Sequence, residues 1–135
     1  WRGACPDVHR AHAAFRLIPG SLDFVEVPLT SDRTRTDHWT GVGDVRFEMT
    51  AAAQVAAAAR HEVERQVRDG ARLKHVCFLT HSFVNYWSAD PGEEGRLGVL
   101  RESIDAIRSL ARELKLEMRG ATLADMRQAF LEAGG

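Results

Sequence analysis

HVCFLTHSFVNYW, residues 75–87, is the stretch on which the reading of the fold turns. An apolar run passes through Val76, Cys77, Phe78 and Leu79, halts at Thr80 and His81, and is followed by Phe83, Tyr86 and Trp87. A short, continuous and partly β-branched run of this kind predicts a strand covered on both faces. Strands so covered belong to parallel sheets, whose reactive groups gather at the carboxyl ends. His81 would then face that rim, and an imidazole flanked by rings is a group suited to proton transfer. The other reading is a strand-end histidine that packs and hydrogen-bonds to backbone.

Working outward, the C-terminal half of the chain is regular. MTAAAQVAAAARHEVERQVRDG (49–70) combines strong helix formers with Thr50 as an N-cap and Gly70 as a stop. RLGVLRESIDAIRSLARELK (96–115) places Leu97, Leu100, Ile104, Ile107, Leu110 and Leu114 three and four residues apart, one apolar stripe on a helix. Its charged residues read as a solvated face. LEM (116–118) is a very short strand, and Thr122 with Asp125 opens a last helix over TLADMRQAFLEAG. In the N-terminal half the pattern loosens. DVHRAHAAFRLI (7–18) predicts a helix ahead of Pro19-Gly20, LDFVEVPL (22–29) a strand, and TSDRTRTDHWTGVGD (30–44) a polar loop long enough to suspect a function. Strand and helix thus alternate. The expected fold is α/β, with a mainly parallel sheet and crossover helices, in one domain or part of one spanning residues 1–135.

Charge narrows the function classes. The chain has 18 basic and 19 acidic residues and no basic stripe, so nucleic acid has no electrostatic footprint. No run of apolar residues is long enough for a membrane span. Cys5 and Cys77 follow no metal spacing, and free thiols are the expectation. His9 and His12 share a helical face but are too few for a zinc site, and solvated histidines are expected. Glu26, Asp37 and Asp44 could pair as carboxylates, although solvated side chains fit their spacing as well. Gly41 and Gly43 lack the third glycine of a nucleotide motif. Ser82 beside His81 would point to the opposite face of a strand, and no Gly-x-Ser-x-Gly elbow exists, so a serine hydrolase is rejected.

Leu79-Thr80-His81, the helix and short strand after it, and Thr122-Leu123 at the head of a closing helix resemble the end of a polysaccharide deacetylase. Trp1-Arg2-Gly3-Ala4 resembles the aromatic-Arg motif that opens the family's preceding segment, and Val25-Glu26-Val27-Pro28 resembles a strand of its exopolysaccharide branch. The resemblance covers most of the chain in order, through short motifs. It implies the second half of a distorted (β/α) barrel and an enzyme that removes acetyl groups from a sugar or glycan. His81 would be the general acid, and Arg2 would orient an Asp general base. Leu79 would line the acetyl pocket, and Asp37 with Trp39 would support the catalytic histidine and wall the pocket. Phe83, Tyr86 and Trp87 are substrate-contact candidates from their nearness to His81.

The resemblance also implies a divalent metal, zinc, in the complete enzyme. The family's Thr-Phe-Asp-Asp and His-x-x-x-His motifs are missing here. Both would lie ahead of Trp1, so this chain alone is expected to hold no metal and no general base. The competing expectation is a non-catalytic α/β module that binds carbohydrate or protein through the Trp39 loop and the 83–87 rings. Neither reading fixes an oligomeric state or a cellular location.

Overall fold

The structure is a computed structural model that describes residues 4–15, 17–34, 43, 45–87 and 95–135. Its regular elements are β1 (His9–Arg10), β2 (Val25–Glu26), α1 (Ala52–Arg68), α2 (Gly95–Glu113) and α3 (Leu123–Glu132).

The helices fall where local chemistry puts them. α1 starts one residue later than Thr50 would dictate: Ala51 is the N-cap, and Thr50 is buried with its hydroxyl accepting from the Arg46 N–H at 3.2 Å. The Gln54 side-chain oxygen accepts from the Ala51 N–H at 3.4 Å in place of a capping side chain. Gly70 ends α1 as expected, with φ at +69°. Its N–H bonds to the Val67 carbonyl, and the Ala71 N–H to the Gln66 carbonyl, the paired closure that needs a left-handed residue after a helix. α2 closes in the same way, from Lys115 to Arg112 and from Leu116 to Ala111, but uses Lys115 at φ 55°. At α3 the Thr122–Asp125 capping box forms in both directions, and these bonds hold the Asp125 carboxyl below its usual range.

α1 and α2 pack on one another. The buried residues of α1 are Val55, Ala58, Ala59, Glu62, Val63 and Gln66, a single helical stripe in which two positions are polar. Val45, Val55 and Ala58 form a core against which Phe47 and Phe78 pack edge to face, their rings 5.6 Å apart. Ile107 and Leu110 supply the buried apolar residues of α2.

The mainly parallel sheet is not formed, and neither is half a barrel. Among the described residues the one sheet is β1–β2, two residues on each side, antiparallel with His9 opposite Glu26. Parallel pairing is confined to a single bridge between Arg46 and Leu79. Residues 75–80 are held by separate bonds instead. The Thr30 N–H donates to the Cys77 carbonyl at 2.7 Å, the Cys77 N–H to the Thr30 hydroxyl at 3.0 Å, and the Phe47 N–H to the Leu79 carbonyl at 3.3 Å. The cause lies in the partners. Pro28 has no N–H to offer a ladder, and the chain turns immediately after Arg46, whose carbonyl accepts from the Met49 N–H at 3.0 Å. An apolar run reports burial; it does not supply neighbouring strands.

The helix expected over residues 7–18 is also replaced. Residues 10–24 double back, with the Gly20 N–H on the Arg10 carbonyl and the Ala11 N–H on the Phe24 carbonyl, both at 2.8 Å. A Cβ at Gly20 would lie 2.2 Å from the His12 Cα, so this crossing requires glycine. The strand expected over 22–29 shrinks to β2, and residues 116–118 form none. The loop over 30–44 has a defined neck: Asp32 and Gly43 exchange two backbone bonds of 3.0 Å.

Candidate functional site

The Arg46–Leu79 bridge lays the turn at residues 46–49 beside the start of the 80–87 segment. Glu48, in that turn, reaches His81 across 33 residues of sequence. His81 Nδ1 and Glu48 Oε1 are 2.5 Å apart. The Glu48 side chain is 10% exposed and that of His81 35%, so a sheltered carboxylate holds a ring that is itself part-exposed. Glu48 Oε2 is sealed from solvent with no partner in hydrogen-bonding geometry.

Burial works to raise the Glu48 carboxyl. The His81 hydrogen bond, the residue's own N–H, the His81 charge and the nearby Thr80 hydroxyl together outweigh it and hold the carboxyl below its usual value of 4.5. An ionised carboxylate only accepts, so Nδ1 carries the shared proton. Nε2 has no hydrogen-bond partner in the protein among the described residues. In that tautomer Nε2 carries the ring's lone pair and can accept a hydrogen bond.

One aromatic ring lies against the imidazole, and two more follow it on the same segment. Phe83 stacks on the His81 imidazole with centroids 5.0 Å apart and planes 21° from parallel, yet stays 83% exposed. Trp87 is 71% exposed. Tyr86 is half-buried, and its hydroxyl meets that of Thr80. Leu79 is half-buried, and its backbone makes the bridge that positions Glu48. Phe78 points the other way, into the core.

Of the residues singled out in the sequence, His81, Leu79, Phe83, Tyr86 and Trp87 therefore lie along one short segment. Arg2, Asp37 and Trp39 lie outside the described residues, as does Asp44. Glu48 was missed. Its signal is present in VRFEM (45–49), where buried Val45 and core-packed Phe47 alternate with Arg46 and Glu48. An acidic residue beside apolar ones, just before a helix, marks a carboxylate held against the core. His9 is not a solvated helix histidine: it is buried on β1, with Nδ1 at 2.7 Å from the Asp7 carbonyl. Its Nε2 is at ion-pair distance, 3.1 Å, from Glu26 but outside hydrogen-bonding geometry. His12 caps a turn, accepting from the N–H groups of Ala14 and Phe15. Cys5 and Cys77 are free thiols, and burial pushes the Cys77 thiol up.

Among the described residues no three His, Cys, Asp or Glu side chains gather in a way that could hold a metal ion. A cavity of 370 Å³ lies elsewhere, between α1, α2, α3 and residues 73–77, and neither His81 nor Glu48 lines it. No helix among the described residues is long and apolar enough to cross a membrane. Comparison with family models, with curated proteins and with solved structures found no match.

Proposed function

We propose that His81 and Glu48 form the proton-transfer couple of a hydrolase acting on acetylated sugars. One observation carries the reading: a sheltered carboxylate holds Nδ1 of a part-exposed histidine on which the exposed Phe83 ring stacks. In that role Nε2 protonates the leaving amine or alcohol as the tetrahedral intermediate collapses. Glu48 steadies the imidazolium and fixes its tautomer. Phe83 and Trp87 offer flat apolar faces to a pyranose ring, and Leu79 the apolar contact for an acetyl methyl group. The acetylated-sugar part rests on the sequence resemblance to polysaccharide deacetylases.

That resemblance brings with it a divalent metal, zinc, which would polarise the acetyl carbonyl. The described residues gather no ligand set that fits it. The contribution derived for this chain is therefore the proton, its orientation and the sugar platform. The exposure of Phe83 and Trp87 also favours a second reading, a non-catalytic module that binds carbohydrate through these rings.

Acetate release from an acetylated oligosaccharide, by a protein that joins this chain to the metal- and base-bearing segment the resemblance implies and is supplied with zinc, measured beside calorimetric binding of the same sugar, separates the readings. The enzyme reading expects His81→Ala to cut kcat by about 10²- to 10⁴-fold while sugar binding persists. Binding without release, lost in Phe83→Ala and Trp87→Ala, selects the binding module. Neither release nor binding sinks both.

A further inference from the structure

On the same segment as His81, a second histidine is committed to the interior. His75 is 8% exposed. Its Nε2 lies 3.0 Å from the Pro28 carbonyl, which can only accept, so Nε2 carries the ring proton. Its Nδ1 therefore presents a lone pair, and what it faces is the Gln66 amide nitrogen at 3.4 Å.

The orientation of Gln66, fully buried, is set by its neighbours. Its Oε1 accepts from the His75 backbone N–H at 2.8 Å. Its Nε2 donates to the His75 carbonyl at 3.0 Å and to Glu62 Oε1 at 2.8 Å, so both amide hydrogens are spent. A proton added at His75 Nδ1 would set one N–H against another. Gln66 cannot answer by turning over. Its NH₂ would then oppose the His75 N–H, and its oxygen would meet a carbonyl and a carboxylate.

The charges around the ring do not provide a substitute partner. Glu62 and Arg65 face it from α1, and Asp7 from the N-terminal stretch. Arg65 is occupied by Glu62 at 2.7 Å, Asp7 at 2.6 Å and Asp69 at 3.1 Å, and the Glu62 and Asp7 bonds raise its own pKa against the effect of burial. Lys74, Glu117, Arg119 and Asp125 line the cavity that His75 also borders. Burial lowers the His75 pKa below 6.5; the Pro28 bond and the Glu62 and Asp7 charges oppose this without reversing it, and Arg65 adds to it.

We propose that His75, Gln66 and Glu62 form an acid-sensitive latch whose opening frees the segment that carries His81. Shut, the latch ties residues 75–81 to α1 through Gln66 and to residues 28–30 through Pro28, next to the two Thr30–Cys77 bonds. A proton on His75 breaks the Gln66 clasp first. The opening stands on the interior geometry alone; only its effect on turnover rests on the hydrolase reading.

The sign follows from linkage. The folded ring has the lower pKa, so below 6.5 the unfolded chain binds more protons than the native one. The latch stabilises fully above that value and loses its contribution as pH falls toward the folded pKa. One proton of difference lowers the folding constant by up to about tenfold per pH unit in that window.

The test is urea unfolding of the wild-type protein and of His75→Gln, from about pH 7.5 to about pH 5.5. The wild type is expected to lose up to about tenfold more of its folding constant per unit than the variant. Parallel profiles overturn the latch. Should His75→Gln fail to fold, two readings on the wild type decide by NMR. The His75 ring should titrate below 6.5 and the protection factor of the Cys77 amide should fall in the same window. A ring titrating at or above 6.5, or a Cys77 amide whose protection does not change, overturns it equally.

Discussion

His75 and His81 stand six residues apart on one segment and meet opposite fates. His75 has Nε2 on a carbonyl and Nδ1 against a buried amide. His81 has Nδ1 on a carboxylate, and its other nitrogen has no hydrogen-bond partner among the described residues. Residue type is the same; the geometry of the partners is not. Beside His75 the Gln66 amide satisfies several backbone and side-chain groups at once, which suits a joint. Beside His81 a charged group is held in shelter with one oxygen unpartnered, an arrangement that favours a reacting group over a packed one. The contrast teaches that a histidine's role is read from how many of its nitrogens the protein consumes.

The contrast can be broken most directly at Gln66. Gln66→Leu strands the His75 N–H, the His75 carbonyl and Glu62 Oε1 in the interior, and should lower unfolding stability by about 3 kcal/mol. A loss in urea unfolding no larger than that of an exposed substitution would mean the joint is decorative.

At the other histidine the expected effects are reversed. Glu48→Gln should lower kcat by about tenfold while leaving KM in place, and should lower the neutral-pH urea midpoint because the ionised carboxylate's stabilisation is lost. It should also change the acid limb. The folded Glu48 carboxyl lies below 4.5, so its stabilisation is complete above that value and is lost as pH falls toward the folded pKa. The variant lacks that decline, and unfolding monitored from about pH 5 downward would show it. A kcat unchanged in Glu48→Gln would reduce the pair to packing.

The smallest effect sharpens the comparison as a control. Lys115→Gly relieves a left-handed lysine at the end of α2, far in sequence from both histidines, and should raise stability by about 0.5 kcal/mol. It should move neither the pH dependence of unfolding nor kcat.

What the sequence made legible was whatever neighbours in the chain decide. The apolar stripe of α2, Gly70 after α1 and the Thr122–Asp125 box are local signals and lie where they were expected. Pairing between distant segments was not legible. The 75–80 run was taken for a strand of a parallel sheet, but its neighbours contribute a proline at 28 and a turn at 46–49, and only a bridge forms. Gly20 shows the same limit: it was read as a turn signal, while its necessity comes from the His12 backbone crossing against it. His81 could be picked out because it interrupts an apolar run. Glu48 could not be joined to it, since that contact depends on one bridge between stretches 33 residues apart.

The neck at Asp32 and Gly43 has a consequence for how this chain can change length. Two backbone bonds fix the ends of the intervening stretch, so it leaves and rejoins the chain at one point near the Thr30–Cys77 junction. Closing a longer excursion between such fixed ends costs little, about 0.6 kcal/mol for each doubling.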